Sequence, residues 1–409
     1  MDDVLVVGDG IAGLALARAL RRQDVPVTVA QRGGAAVLDA ATLGDGPDVT
    51  LGATPSDVLG ATPSAVPGAT PSAGLGATPS AGLGAAASPA VNLPGNAIAA
   101  FAALGLAEEL QKLGRPTIRR EYRNRRGRLL FTVDEDAFWG PEARPRCVRR
   151  PDLLALLADG PAHPLEVTGV DTSGEVTLGD GTRRQFGFVA AADGVDSLVR
   201  TAVDPAAPAP VAAGHGWRFL APNPGVDCWT SWSGPGSAVV LTPVDDTDVY
   251  GYATSLSLSL SLSLSLRDDN PQQTFASYPA TARQALDTMT DCHHAPVVET
   301  RTATWSAGRC ALIGETAHAT VPVWAQGTAM AVEDGLVLAD LLATVPWDGA
   351  GAAYTDLRRD RIAHVRAATD RFTRVASLPS WLRDTALSVW GPRAYRDTYS
   401  RLRHPFPTP

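Results

Sequence analysis

The chain opens on an apolar run, Val4-Leu5-Val6-Val7, and turns through Gly8-x-Gly10-x-x-Gly13. It resumes with helical apolar spacing from Ile11 to Arg22 and a second short strand, Val25 to Val29. Nothing else in the 409 residues limits the fold as strongly. In such a strand-turn-helix the first glycine permits the tight turn and the second lets backbone approach a pyrophosphate. The third lets the helix pack on the strand, and the helix N-terminus favours an anion. The pattern predicts the first βαβ unit of a Rossmann-like α/β domain, with a dinucleotide held at Gly8, Gly10 and Gly13; the competing reading is a glycine-rich turn with no ligand. The acidic residue that would hold a ribose at the end of the second strand is missing. Gln31-Arg32 stands there, and Gln31 can hydrogen-bond a ribose hydroxyl only without charge assistance.

Beyond this unit the pattern breaks. From Gly33 to Pro89 the sequence is poor in charge and rich in Gly, Ala, Pro, Ser and Thr, with an octad recurring from Leu51, Leu59, Pro67 and Leu75. Eight residues with a Thr-Pro in each copy cannot make a helical repeat, and this composition buries too little apolar surface to offset chain entropy, so a flexible insert is expected. Regular structure is expected again from Ala97, where Ile98, Phe101, Leu104, Leu106 and Leu110 outline a helix broken at Gly105. Strands follow at 118–122 and 129–133, a helix at 151–158, and two or three strands within 165–192. From Trp217 to Tyr252, strand-length segments loaded with aromatics predict a mainly antiparallel sheet. They leave two readings for Trp217, Trp229, Trp232 and Tyr252: plain core, or the walls of a pocket for a flat apolar ligand. Ser255 to Leu266 is a sixfold Ser-Leu dipeptide, read as an expansion with no role of its own. Helical spacing at 354–374 and 378–403 predicts a C-terminal cap.

Length and charge narrow the function classes. The chain is two to three times the usual domain size of roughly 100–200 residues. A net charge of −8 argues against a protein whose main partner is nucleic acid or an anionic membrane. Among the basic residues only Lys112 is a lysine, so lysine chemistry is almost excluded. Cys147, Cys228, Cys292 and Cys310 are far apart and form no C-x-x-C pair, which predicts reduced thiols and no metal site. Asp291-Cys292-His293-His294 lacks the i, i+4 spacing of a helical metal pair and reads as a polar loop. The chain enters a strand at once, without the charged n-region of a signal peptide, and no window reaches ~18 consecutive apolar residues. A cytoplasmic protein with no membrane span is expected.

Two further motifs carry chemistry. One is Ala192-Asp193-Gly194-Val195-Asp196-Ser197-Leu198-Val199-Arg200; the other is Gly308-Arg309-Cys310-Ala311-Leu312-Ile313-Gly314-Glu315-Thr316-Ala317-His318, running on to Pro322 and Ala325-Gln326-Gly327. With the N-terminal turn, and in this order, they resemble the FAD-dependent aromatic hydroxylases, the class A flavoprotein monooxygenases with the p-hydroxybenzoate hydroxylase fold. The resemblance covers nearly the whole chain outside the repeats. It implies Gly8, Gly10 and Gly13 on the FAD pyrophosphate, Gln31 and Arg32 near the adenosine ribose, and Arg150 on the phosphate and ribityl region. It implies a part for Asp193 and Gly194 in binding FAD and reduced nicotinamide, and Gly314-Glu315 on the ribityl chain. Pro322, Gln326 and Gly327 would lie against the isoalloxazine ring. His318 would sit beside it, either moving protons or only packing. Two departures stand out: Glu315 where the family has aspartate, and Ala325 where it has glycine.

The activity so implied is a monooxygenase in which NADPH or NADH reduces FAD, dioxygen adds, and a flavin hydroperoxide oxygenates an aromatic or polyketide-like small molecule. No catalytic acid or base is assigned, His318 and Pro322 being flavin-adjacent candidates. The implied architecture is α/β: a Rossmann-like FAD-binding domain (1–115, 145–205 and 296–345) with the low-complexity insert at 33–89. It interleaves with a mainly antiparallel substrate domain (116–144 and 206–295, with the Ser-Leu repeat at 255–266), and helices at 346–409 form the cap. A non-oxygenating flavoprotein of the same fold, a cyclase, isomerase or binding protein, is the alternative. A flavin-dependent halogenase is disfavoured, since its Trp-x-Trp-x-Ile-Pro motif is absent.

Overall fold

The computed structural model describes residues 3–33, 88–160, 165–255 and 270–404. The octads, and all of the Ser-Leu run beyond Ser255, lie outside them, so the expectations for both repeats do too.

Val4–Val7 is buried at every position, as an inner strand of a parallel sheet must be. It lies between Val27–Arg32 and Phe188–Ala191, and Cys310–Leu312 continues the parallel order. Glu166–Val170, Glu175–Leu178 and Arg183–Gln185 form a meander on the Val27–Arg32 side, and Ser306–Ala307 closes the other edge of this eight-stranded sheet. The helices Ile11–Arg21 and Gly327–Thr344 pack against each other, closely enough that a Cβ on Gly335 would lie 2.8 Å from the Leu16 nitrogen.

The aromatic segments build a second sheet of seven strands. Val211–Pro222, Trp229–Gly234, Ser237–Pro243, Asp248–Ser255 and Thr290–Glu299 pair antiparallel with their neighbours. Trp229–Gly234 then joins the hairpin of Arg119–Asn124 and Leu129–Asp134 in parallel. Asp291 to His294 is therefore part of an edge strand and not a loop, with the His294 ring stacked on Trp217 at 4.5 Å. That strand runs on to Glu299, so its last residues lie beyond the expected boundary at 295. Side chains alternate across this sheet. Trp217, Phe219, Trp232, Val239, Leu241 and Val249 fill one face together with Phe275, Tyr278 and Leu286 of the short helices Pro271–Thr274 and Ala280–Asp287. Trp217 and Trp232 are thus core residues and not pocket walls, because the period of two turns them away from the neighbours that line the cavity.

A small sheet of Ala90–Leu93, Arg146–Arg149 and Arg115–Pro116 sits between the larger two. The helices Trp347–Ala376 and Ser380–Arg403 form the cap. All four cysteines are free thiols, three of them buried. Among the described residues no helix is long and apolar enough to cross a membrane, and no cluster could hold a metal ion.

Arg149 ties the small sheet to the antiparallel one, donating to Asp245 at 2.7 Å and to Asp248 at 2.6 Å. Partial burial acts to raise the Asp245 carboxyl, but the Arg149 bond and the Thr247 and Asp248 amides outweigh it and hold the carboxyl lowered to about 2. A carboxylate depressed below its unfolded value of ~3.9 contributes stability above that pH and loses it as pH falls through the folded value. Unfolding midpoints should therefore drop between about pH 4 and 2, and Asp245→Asn should flatten that stretch of the profile.

Candidate functional site

The two large sheets face each other across a cavity of about 760 Å³, well within the ~300–1,000 Å³ of small-molecule sites. Gly8, Gly10, Gln31, Arg32, Arg150, Asp193, Gly194, Glu315, His318, Pro322, Gln326 and Gly327 all line it. Gly13 and Gly314 lie behind its wall. A Cβ on Gly13 would sit 1.9 Å from the Gly8 carbonyl oxygen, which is how closely the helix rests on the turn. Gly8 has φ +116, and its Cβ would meet the Ala192 oxygen at 2.4 Å.

Gly10, Gly194 and Gly327 behave differently. They come from three separate segments and all face the cavity, yet a Cβ on any of them would have no atom within 4 Å. That is a cradle with room for ligand atoms, as the dinucleotide reading of the glycine turn requires. The site's charges are held around this cradle. The Gln31 amide donates to Asp9 Oδ2 at 2.8 Å, and Arg32 donates to the Asp196 carbonyl at 2.7 Å. Burial pulls the Arg150 guanidinium down, while the Glu315 and Asp9 carboxylates act against it. Burial pushes the Asp193 carboxyl up, opposed by the Ser197 hydroxyl and backbone amides. Arg200, the last residue of the motif that begins at Ala192, clamps this loop through the carbonyls of Val195, Gly194 and Thr316. The Thr316 hydroxyl accepts from the Gly194 amide at 2.8 Å.

Behind the Gly327–Thr344 helix runs a buried polar network. Asp334 accepts from the Gly314 amide (2.8 Å) and from Arg358 (2.7 Å), and its Oδ2 is bonded to His318 Nε2 at 2.6 Å. Burial alone would raise this carboxyl; His318 and Arg358 reverse the balance and hold it below the usual range. Since an ionised carboxylate only accepts, Nε2 of His318 carries the proton. Glu333 takes hydrogen bonds from Arg358, Arg361 and Asn96, and Asn96 exchanges two with the Gln326 amide. The signal for this network was the adjacent Glu333-Asp334 inside the otherwise apolar run from Ala329 to Ala339.

Ala325 occupies the left-handed region at φ 53 just before that helix. A side chain there costs about 1–2 kcal/mol relative to a residue without a Cβ. Ala325→Gly should raise the unfolding free energy by about 0.5–1 kcal/mol, after the entropy that glycine adds to the unfolded chain is deducted. Denaturant titration of both proteins checks it.

The seven-stranded sheet is the floor opposite the cradle. Arg218, Tyr252, Val240, Ser231 and Tyr122 are successive register partners, all facing the cavity. At the usual strand spacing this row is roughly 19 Å long. At one end the Arg218 guanidinium lies 5.3 Å over the Tyr252 ring, and Arg218 Nη1 and the Tyr252 hydroxyl are buried without a hydrogen-bond partner. At the other end Arg120, partner of Trp229 in the register, is ion-paired to the fully buried Glu135 and boxed by the rings of Trp229, Tyr395 and Tyr399. Val365, Thr369 and Phe372 of the first cap helix complete the walls. Of the four aromatic candidates, Trp229 and Tyr252 line the cavity. Arg120 and Arg218 were missed, since arginines in strands give no sign of which face they take.

Sheet order, glycine cradle and aromatic floor define a flavoprotein fold. Residues 166–371 match the family model of the FAD binding domain, and the chain belongs to that family, with FAD as its cofactor. The chain is similar to the 2-heptyl-3-hydroxy-4(1H)-quinolone synthase of Pseudomonas aeruginosa, 26% identical over 333 residues, 76% of this chain and 87% of that one. It is 30% identical over 231 residues to the 3-amino-4-hydroxybenzoate 2-monooxygenase PtmB3 of Streptomyces platensis, covering 52% and 58% of the two chains. In structure it is similar to Klebsiella pneumoniae HpxO complexed with FAD and uric acid, with TM-score 0.75 and 20% identity over 99% of this chain and 98% of that one.

Proposed function

We propose that the chain is an FAD-dependent monooxygenase that uses NADPH or NADH and dioxygen to oxygenate an aromatic or heterocyclic small molecule, with polyketide-like compounds within its range. The observation that carries the reading is the opposition, in one cavity, of three open glycines and a flat floor bearing Trp229 and Tyr252. The relatives' names, a quinolone synthase and an aminohydroxybenzoate monooxygenase, support the reaction class and the ring chemistry.

Bound FAD would supply the two-electron chemistry and the activation of dioxygen. In this reading the chain's own residues bind and orient. Gly8 and Gly10 present backbone to the pyrophosphate, with Gly13 holding the helix down. Gln31 and Arg32 meet the ribose, and Arg150, Asp193 and Glu315 the phosphate and ribityl region. Pro322, Gln326 and Gly327 bring a helix N-terminus to the ring, where its partial positive charge stabilises an anion. Arg218 offers an unpaired donor from the floor. His318 is fixed by Asp334 and borders the cavity, so it positions the 314–318 turn whether or not it moves a proton. Walls of Trp229, Val240 and Phe372 exclude water, which strengthens each polar contact inside.

The test is the visible spectrum of the purified protein, which should show oxidised-flavin bands, followed by NADPH or NADH consumption coupled to oxygen uptake when candidate aromatics are added. Absence of flavin bands even after FAD addition sinks the reading. Flavin bands with no substrate-dependent oxygen uptake across a broad aromatic panel would favour the non-oxygenating alternative.

A further inference from the structure

We infer that the outer face of the Ser380–Arg403 helix, with the turn 125–128 beside it, docks this chain on an anionic lipid bilayer. The helix is amphipathic in an unusual way. Its inner side is satisfied, Leu387, Tyr395, Tyr399 and Leu402 being buried in the core. Its outer side carries Trp381 at 73% exposure, Trp390 and Val389 at 63%, and Leu382 at 38%. Leu129, on the strand beneath, is exposed as well. Five of the seven large exposed hydrophobics of the described residues thus gather here, and no described residue covers them. Trp381 and Trp390 stand at opposite edges of this exposed arc, about 180° apart at 100° per residue, with Leu382 and Val389 between them, and exposed apolar surface of this extent marks an interaction site.

Charge selects the occupant. At 100° per residue, Trp381, Leu382 and Val389 fall on the same side of the helix as Arg393 and Arg396, so apolar first turns lead into a basic second half. The helix bears five arginines against two aspartates, Arg383 being buried against Asp384 and Arg393 lying 3.6 Å from Asp397, and residues 123–128 bear four arginines, of which Arg123 pairs with Glu121, in a chain whose net charge is −8. Asn124 and Arg128 both bond Asp384, which joins turn and helix into one surface and neutralises one of those two acids. Tryptophan at the boundary with arginine beside it suits the headgroup region of an anionic membrane, where rings enter the interface and guanidinium groups meet phosphate. A second copy is the wrong partner: a two-fold contact through this face would set arginines against arginines. The contact is docking and not spanning, in keeping with the absence of a membrane-crossing helix among the described residues. On the proposed function, a further consequence follows. The helix's inner tyrosines box Arg120 at the cavity floor, so the docked face lies about one helix diameter, ~10 Å, from where an apolar substrate would bind.

The full-length protein should sediment with vesicles of phosphatidylglycerol and phosphatidylcholine in equal parts, and at least tenfold less with phosphatidylcholine alone. Trp381→Ser with Trp390→Ser should lower partitioning on the mixed vesicles at least tenfold, and Arg393→Gln with Arg396→Gln should lower it severalfold and weaken its salt dependence. None of these residues lines the cavity, so the thermal midpoint stays that of the parent, which separates lost docking from lost folding. Failure to sediment with the anionic vesicles overturns the inference. So does equal binding to both vesicle types, or a dimer in the ultracentrifuge that Trp390→Ser dissociates. The vesicle assay needs no flavin turnover, so its failure leaves the monooxygenase reading standing, and the reverse also holds.

Discussion

Gly10→Val should give a folded chain that no longer retains FAD, while Gly13→Ala should give one that scarcely folds. The two glycines lie three residues apart in one turn, yet their surroundings are opposite. Gly10 caps the Ile11–Arg21 helix with φ −78 and ψ −175, a conformation open to any residue, and its Cβ would touch nothing within 4 Å. A valine there keeps the fold within about 0.5 kcal/mol, as surface substitutions do, and fills the space where the pyrophosphate would approach. FAD affinity should fall at least 100-fold, about 2.7 kcal/mol. Gly13 instead has the Gly8 carbonyl 1.9 Å from its would-be Cβ and a Val6 methyl at 3.1 Å. Backbone cannot swing aside as a flexible side chain can, so the helix must lift off the strand, at a cost at or above the ~1–3 kcal/mol of ordinary overpacking. Titration of flavin fluorescence and chemical denaturation of both variants read the two effects separately. Wild-type FAD affinity in Gly10→Val would show that the cradle holds something else.

Arg358→Met should lower the unfolding free energy by about 3–5 kcal/mol, the usual consequence of removing one partner from a buried ion network. Arg358 is fully buried and holds two fully buried carboxylates at once, Glu333 at 2.9 Å and Asp334 at 2.7 Å. Methionine fills much of the volume, so the loss reports stranded charge more than a cavity. The pH dependence has a definite sign. In the parent, Asp334 is held below its usual range, so its contribution is present above the unfolded value of ~3.9 and fades in acid. In the variant, Asp334 loses its Arg358 partner and takes up a proton more readily. The gap between variant and parent should therefore be widest near neutrality and narrow as pH falls toward 4–5. A constant gap across that range would count against the network as described. FAD retention should weaken too, because Asp334 fixes the Gly314 amide and His318, and Glu333 reaches Gln326 through Asn96.

The parts of the fold that sequence expressed most clearly were those where local pattern and tertiary role coincide. Val4 to Val7 reads as a continuous apolar run because both faces of that strand are covered. Gly8, Gly10 and Gly13 are spaced by the turn itself. The motif residues around Asp193 and Gly314 come from strand ends that a parallel sheet brings to the same edge, so distant stretches of chain meet at one cavity. What was not legible depends on facing. Trp217 and Trp232 are as aromatic as Trp229 and Tyr252, and only strand register puts the first pair in the core and the second in the cavity. Asp291 to His294 looked like a loop because polarity is the mark of both loops and exposed edge strands, and here the strand is at the edge. Arg120 and Arg358 gave no signal, since the carboxylates that make burial of a guanidinium tolerable lie 15 and 24 residues or more away in sequence.

The alternation in the seven-stranded sheet has an evolutionary side. Along Trp229–Gly234, Ser237–Pro243 and Asp248–Ser255, alternate positions carry different duties: one set holds the molecule together, the other faces the cavity. A lineage can therefore rewrite Ser231, Val240 or Tyr252 one codon at a time and change the compounds it accepts without touching Trp232, Val239 or Leu241. Folding competence and chemical appetite are inherited on the same strands yet are free to drift apart. A library randomised only at the cavity-facing alternates should consequently keep most of its members folded while dispersing their ligand preferences.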